Sequence, residues 1–318
     1  MKAKVGIYWA AACGGCDCSL LEIDEQILDV AAAADIVFWP CATDSKYADL
    51  RNMKDGSIDI VLFNGAIRTE ENREMAQLLR DKCKLLVAYG ACAHTGGVIG
   101  LANLATREDV FATVFGDKAN WPRLRCEEDG RTLRLPEWLP WLTPLADVVA
   151  VDYVIPGCPP PRAIVRRFFD SLLSGELPEK GTVFAAEKNL CDECPREWKE
   201  EPIKKIFRPH EIEADPDRCL LDQGIICMGP ATRGGCGAAC PNANMPCTGC
   251  TGPTANVTDQ GAAMLNTLAS LIGTGKEGES ELKAEEAILA EIEDVIGTFY
   301  RFGLARSIFK RPLHERED

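Results

Sequence analysis

No stretch of about 18 consecutive apolar residues occurs in the 318-residue chain, which excludes a helical membrane span. The first residues, Met1-Lys2-Ala3-Lys4, lead directly into the apolar Val5-Gly6-Ile7-Tyr8-Trp9-Ala10 with no secretory apolar region or cleavage site, so a cytoplasmic location is expected. The pair Arg166-Arg167 lies deep in the chain on an expected helix and reads as a solvated face, not an export signal. There is also no dense basic stripe. Acidic residues outnumber basic ones by 49 to 35, a formal charge of -14, and nothing in that balance attracts a phosphate backbone, so nucleic acid is not expected as a partner. No internal repeat of fixed period is present.

What the chain does have is cysteine: sixteen in all, in a sequence whose 46% hydrophobic and 26% charged residues are otherwise those of an ordinary globular protein. A reducing cytosol does not favour so many idle thiols. Disulfides fit poorly, because a chain of this length builds its own core and carries no secretion signal, so metal ligation is the better reading.

Apolar, strand-like runs recur at 5–9, 36–39, 58–63, 85–89 and 148–155, with helical character between several of them, a pattern that reads as α/β with a parallel sheet. Leu20, Leu21, Ile23, Ile27, Leu28 and Val30 recur near helical spacing, and 70–80 offers a second amphipathic crossover helix. Residues 116–144 interrupt this alternation with Trp121, Trp138, Trp141, several prolines and an Asp129-Gly130 turn signal, predicting an inserted hairpin and loop whose tryptophans serve either the core or, the slightly preferred reading, a subunit contact. After a helix over 162–173, Gly175 and Pro178 punctuate the chain and cysteine density rises, placing a boundary near 180. A first domain over 1–180 and a second over 181–318 are expected, the second ending in helices near 262–272 and 282–300 around a polar break at 273–280.

Cys13 and Cys16 follow the first strand run, Cys92 follows 85–89, and Cys158 follows 148–155. Those ends share one edge of a parallel sheet, where open α/β folds bind their ligands, so four sulfurs distant in sequence converge on one site. Glycines surround each of them, in Cys13-Gly14-Gly15-Cys16, Gly90-Ala91-Cys92 and Gly157-Cys158. Glycine lets backbone come close to a metal cluster and adopt positive φ, and backbone N–H groups there tune its reduction potential. The second domain supplies Cys191, Cys194, Cys219, Cys227, Cys236, Cys240, Cys247 and Cys250, enough for two further four-sulfur sites. Close pairs such as Cys191/Cys194 and Cys247/Cys250 suit iron-sulfur clusters and zinc alike, and spacing does not separate the two.

Read in order, Cys13-Gly-Gly-Cys16, Gly90-Ala-Cys92-Ala93, Pro156-Gly-Cys158-Pro-Pro, Cys227-Met-Gly-Pro230-Ala-Thr and Pro246-Cys-Thr-Gly-Cys250 resemble the small subunits of nickel-iron hydrogenases, and among them the soluble methyl-viologen-reducing type that partners heterodisulfide reductase. The resemblance covers both domains. It implies a flavodoxin-like first domain with a proximal 4Fe-4S cluster on Cys13, Cys16, Cys92 and Cys158, then an iron-sulfur domain with little regular structure. There a medial 4Fe-4S cluster on Cys236, Cys240, Cys247 and Cys250 and a distal one on Cys191, Cys194, Cys219 and Cys227 are implied. Cys191 stands where many relatives have histidine, and Cys240 where many have proline. The implied role is electron transfer between the nickel-iron site of a partner large subunit and an iron-sulfur acceptor subunit, heterodisulfide reductase being one such. The paired cysteines that hold nickel in large subunits have no counterpart here, so no catalytic residue is expected in this chain.

Cys18, Cys41, Cys83 and Cys126 are left over and read as core or surface thiols. Cys18 lies outside the Cys13/Cys16 pair, which does not support an oxygen-tolerant proximal cluster. His94 is placed to hydrogen-bond the proximal cluster, while His210 reads as solvated. A quinone-reductase subunit of the complex I type shares the first domain, but typically carries adjacent cysteines there and lacks the second domain. A zinc-stabilised binding module is the other alternative.

Overall fold

The run Ile58-Asp-Ile-Val-Leu-Phe-Asn64 is buried along nearly its whole length, as a strand covered on both faces must be. In the computed structural model it is the central strand of a five-stranded parallel sheet. Residues 2–123, 125–128, 130–199, 201–272 and 286–309 are described. The chain divides into two compact units, Met1–Phe184 with Leu304–Asp318, and Ala185–Gly303.

The first unit runs β1 (Ala3–Trp9), α1 (Gly15–Leu21), α2 (Gln26–Ala33), β2 (Ala34–Phe38), α3 (Tyr47–Asn52), β3 (Ile58–Asn64), β4 (Ile67–Thr69), α4 (Glu70–Lys82), β5 (Cys83–Tyr89), α5 (Ala91–Thr95), α6 (Arg107–Phe115), β6 (Arg125–Glu128), β7 (Arg131–Arg134), β8 (Trp138–Thr143), β9 (Tyr153–Ile155) and α7 (Arg162–Ser174). The main sheet has the order β2-β1-β3-β5-β9, with all four pairings parallel. This is the flavodoxin-like order, whose switch point lies between β1 and β3.

Local signals set the helix bounds. Thr69 accepts the Asn72 N–H and Asn72 reaches back, closing a capping box at the start of α4, and Glu70 and Glu71 in its first turn and Arg80 and Lys82 in its last complement the helix dipole. α7 starts after Pro161 and stops at Gly175, which has φ 75°. The single crossover helix expected over 20–30 is two helices, because Asp24 turns left-handed between them with φ 55° and holds the Arg162 guanidinium.

The strand expected over 148–155 is shorter, only Tyr153–Ile155. Asp152 explains this. Its carboxylate, in place of a backbone carbonyl, accepts the Leu86 N–H at 2.8 Å and pairs with Arg80 at 2.6 Å and Lys180 at 2.7 Å. Tryptophans of the inserted segment pack within the chain: Trp121 and Trp138 stand edge-on to Phe111 at 5.4 and 5.1 Å, and Arg68 lies 4.4 Å over Trp138. A hairpin does form there from β6 and β7, with Gly130 at φ 71°, while Asp129 lies outside the described residues.

The second unit has little regular structure: short turns, α8 (Ala239–Asn242), α9 (Gln260–Leu271) and α10 (Val295–Phe299). Its apolar centre includes Leu190, Leu220, Ile225, Met264, Leu268 and Phe299. Gly261 admits the Tyr300 ring, which a Cβ would meet at 2.5 Å. The polar break at 273–280 and the start of the helix expected over 282–300 lie outside the described residues; within the rest of that range 286–289 are helical, 290–294 are not, and α10 is a separate short helix whose start is capped by the Asp294 carboxylate accepting the Gly297 N–H at 2.8 Å. The expected boundary assigned the whole tail to the second domain, yet the turn at 304–306 belongs to the first unit. Ala305 fits against Gly96, Gly100 and Leu142, and a Cβ at Gly96 would overlap Ala305.

Burial pushes the Asp152 carboxyl up, but its hydrogen bonds with Lys180 and Arg80 outweigh this and hold it below the usual carboxylate range. Its contribution to stability is therefore full above the unfolded value near 4 and is lost as pH falls through the lower folded value. Asp152→Asn should cost on the order of 2 kcal/mol at pH 7, because Arg80 loses its buried partner, and the gap from the parent should narrow in acid. Urea unfolding at pH 7 and at about pH 3 checks both points.

Candidate metal-cluster sites

Cys13 follows β1, Cys16 stands on α1, Cys92 is the second residue of α5 just after β5, and Cys158 follows β9. Since β1, β5 and β9 run parallel, their carboxyl ends carry these cysteines to one edge of the sheet. The thiols come within reach of one another's charge. Burial pushes Cys16 well above its ordinary range, with Cys92, Cys158 and Cys13 adding to it. Cys92 is pushed up to about 12, by burial first and then by Cys158 and Cys13, and Cys158 rises through burial and Cys13.

The loops are tied together as well as gathered. Gly90 N–H donates to the Ile155 carbonyl and Ala91 N–H to that of Gly157, both at 2.7 Å, joining the Cys92 loop to the Cys158 loop. Gly90, at φ 89°, lies so close to Cys16 that a Cβ would overlap the sulfur, and a Cβ at Gly97 would stand 2.5 Å from Cys92 Sγ. Gly15 N–H points at Cys13 Sγ, 3.5 Å away.

In the second unit Cys191, Cys194, Cys219 and Cys227 form a comparable group. Cys191 is pushed up to about 12 by burial and then by Cys227, Cys219 and Cys194, Cys219 also feels Cys194, and Cys227 feels Cys219 and Cys194. Of the remaining four, Cys236 is raised by burial first, and by Glu193 more than by Cys240, and Cys247 by burial first, and by Cys227 more than by Cys250. Cys247 is a neighbour of the previous group too, its N–H donating to Cys227 Sγ at 3.3 Å. Gln260 Nε2 donates to Thr232 Oγ1 at 2.9 Å and to the Gly249 carbonyl at 3.1 Å, fixing the Cys247–Cys250 turn from α9.

This donor chemistry fits a polynuclear metal group. Burial, and then neighbouring thiolates, raise Cys16, Cys92 and Cys158 in one group and Cys191, Cys219 and Cys227 in the other, so neither group ionises readily in a pocket of low dielectric without a positive core, and iron in a cluster would supply that charge. Backbone N–H groups directed at the sulfurs favour the thiolate further. Among the described residues no three His, Cys, Asp or Glu are close enough to share a single metal ion.

Sequence reasoning missed Asp17, the buried residue between Cys16 and Cys18. Its carboxylate accepts Asn64 Nδ2–H at 2.6 Å, Trp39 Nε1–H at 2.8 Å and the Cys41 thiol at 3.6 Å. It thereby anchors the helix that bears Cys16 to the ends of β2 and β3. The Ser19 hydroxyl does similar work by donating to the Cys16 carbonyl at 2.8 Å while meeting the Tyr89 hydroxyl at 2.7 Å. The only sequence signal was an acidic residue set between two cysteines. Of the leftover thiols, Cys83 is buried in the sheet core, and Cys18, Cys41 and Cys126 are exposed. His94 is buried on α5, and His210 is exposed.

Two glycines separate conformational strain from collision. Gly175, at φ 75°, has nothing within 4 Å of a Cβ position, whereas Gly90 has Cys16 Sγ. Gly175→Ala should cost about 1 kcal/mol, the ordinary penalty for a left-handed alanine, and Gly90→Ala at least twice that, on the order of 2 kcal/mol or more. Chemical denaturation of the two variants side by side measures the difference. Equal costs would mean that Cys16 is not held against Gly90.

Comparison with known proteins agrees with this geometry. Residues 13–172 match the family described as NADH ubiquinone oxidoreductase, 20 Kd subunit. Over 98% of this chain and 99% of its own length, the iron-sulfur subunit of the F420-non-reducing hydrogenase of Archaeoglobus profundus is 34% identical. The like-named subunit of the F420-non-reducing hydrogenase of Methanothermobacter thermautotrophicus is 37% identical over 99% of this chain and 98% of its own. Among solved structures, an H2-activated, anaerobically purified [NiFeSe]-hydrogenase from Dm. baculatum matches with a TM-score of 0.50 and 18% identity, covering 80% of this chain and 96% of that one, a likeness of fold. No helix among the described residues is long and apolar enough to cross a membrane. The five-stranded sheet, the gathered cysteines and identity along almost the whole length lead to one conclusion: the chain belongs to the family of these F420-non-reducing hydrogenase subunits, components of a hydrogenase.

Proposed function

We propose that the chain conducts electrons between the nickel-iron site of a partner large subunit and an iron-sulfur acceptor subunit of the heterodisulfide-reductase kind, in the cytoplasm. Three 4Fe-4S clusters are assigned to it: one on Cys13, Cys16, Cys92 and Cys158, a second on Cys191, Cys194, Cys219 and Cys227, and a third on Cys236, Cys240, Cys247 and Cys250. The observation that carries the reading is the pair of four-thiol groups in which the sulfurs feel one another's charge. Sixteen cysteines support a reducing compartment. The Archaeoglobus profundus relative is an iron-sulfur subunit by name, which supports iron over zinc.

Bound in such sites, 4Fe-4S clusters supply one-electron redox chemistry. The protein's own part is to hold and tune. Thiolates fix each site, glycines at 90 and 97 allow the backbone in close, and N–H donors to the sulfurs stabilise negative charge and so favour the reduced state. No acid, base or nucleophile is required of this chain. The complex I kinship suggested by the family match is confined to residues 13–172, short of the eight cysteines from Cys191 to Cys250, whereas the F420-non-reducing hydrogenase relatives align along both units.

Anaerobic purification of the native complex should yield about twelve irons on this chain, with comparable acid-labile sulfide and little zinc. Three zincs in their place would exclude the redox reading.

Cys240 offers a sharper test of the third set. Proline cannot ligate iron, so Cys240→Pro should lose about one of four irons from that cluster, show the paramagnetic signal of a three-iron centre when oxidised, and raise the potential at that site. Reduction of low-potential acceptors should slow more than that of high-potential dyes. Full iron content with no three-iron signal would remove Cys240 from the ligand set.

A further inference from the structure

The segment Cys191-Asp-Glu193-Cys194-Pro-Arg196 sends two charged side chains away from its own cysteines and onto the loop that carries Cys236 and Cys240. Glu193 reaches the first end of that loop. Its Oε2 accepts the Gly235 N–H at 2.8 Å, and its Oε1 accepts the same group at 2.9 Å and the Ala238 N–H at 3.2 Å. Gly235, Gly237 and Ala238 have φ of 107°, 68° and 50°, and this left-handed backbone turns the amides inward to make a nest for an anion. At Gly234 a Cβ would stand 3.1 to 3.3 Å from the carboxylate, so the approach is already tight.

Arg196 holds the other end and is buried. Its guanidinium donates to the Pro241 carbonyl through Nε at 3.2 Å and Nη2 at 3.0 Å, and Nη2 also donates to Asn244 Oδ1 at 2.6 Å. Nη1 donates to the carbonyls of Asp215 at 2.8 Å and Arg218 at 2.9 Å. These acceptors are neutral, so the arginine keeps its full charge beside α8, the helix that bears Cys240.

We propose that Glu193 and Arg196 are positioning residues: from the Cys191/Cys194 segment they clamp the Cys236/Cys240 loop at both ends and, with opposite charges, set the potential of the cluster bound there. This rests on the ligand sets proposed above. Glu193 Oε1 lies 3.7 Å from Cys236 Sγ. A ligating Cys236 has no proton to share, so carboxylate faces thiolate and an added electron is disfavoured, lowering the potential. Arg196 acts in the opposite sense. The clamp also fixes two ligand-bearing segments relative to each other through charge-assisted hydrogen bonds.

The test is a redox titration, followed by electron paramagnetic resonance, of the native complex carrying Glu193→Gln, Glu193→Asp, Arg196→Gln or Arg196→Lys, with iron measured in each. Glu193→Gln should raise the midpoint potential of one cluster, and Arg196→Gln should lower that of the same cluster. The charge-conserving Glu193→Asp and Arg196→Lys should stay nearer the parent. If Arg196→Gln does not assemble, the two Glu193 variants decide, because loss of charge and loss of reach are separated between them. Unchanged potentials, shifts of the same sign from Glu193→Gln and Arg196→Gln, an equal shift at all clusters, or a shift in Glu193→Asp as large as in Glu193→Gln would each overturn the clamp. A parent complex lacking three clusters would instead overturn the ligand sets on which it rests.

Discussion

Mutual repulsion among gathered thiols is the constraint on which the rest of this structure depends. Cys16 and Cys92 in the first unit, and Cys227 and Cys247 in the second, are buried, and each is made harder to ionise by that burial and then by neighbouring cysteines. A chain that merely folded would disperse such groups. This one uses glycines, a buried carboxylate, a partly buried one and an arginine to bring them together, an arrangement that a positive core among the thiolates would offset. The strain and the unusual backbone are concentrated around the cysteines, where function asks for them.

The two units solve the problem differently. In the first, a regular sheet does the gathering: parallel strands deliver Cys13, Cys92 and Cys158 to a single edge, and the 2.7 Å bonds from Gly90 and Ala91 lock the loops. Asp17, buried under Cys16, braces the helix against β2 and β3. Among the described residues of the second unit there is no sheet to do this, and side chains replace it. Gln260 fixes the Cys247–Cys250 turn, and Glu193 and Arg196 hold the Cys236–Cys240 loop. A domain so poor in regular hydrogen bonding must satisfy its backbone through such contacts.

Periodicity exposed what was regular. The strand runs at 5–9, 58–63 and 85–89 appear as β1, β3 and β5, and the helices at 70–80 and 162–173 as α4 and α7, because long apolar patterns and caps are local properties of the chain. What it left open was non-local. Trp121 and Trp138 read as core or subunit contact, and the structure packs them on Phe111 and Arg68 within the chain while leaving both partly exposed. The tail from Leu304 joins the first unit because Gly96 leaves room for Ala305, a complementarity that no pattern announces.

By itself the sequence determined the chemistry: twelve cysteines in glycine- and proline-marked loops, spaced along an α/β pattern, restricted the chain to metal binding and pointed to a hydrogenase small subunit. Cysteine spacing and the glycines and prolines beside it are written residue by residue, so they are legible without a fold. Which thiols feel one another, which amides face Glu193, and which carbonyls surround Arg196 were decided only by tertiary structure. Those relations depend on distances between residues tens of positions apart, and charge acts through space, not along the chain.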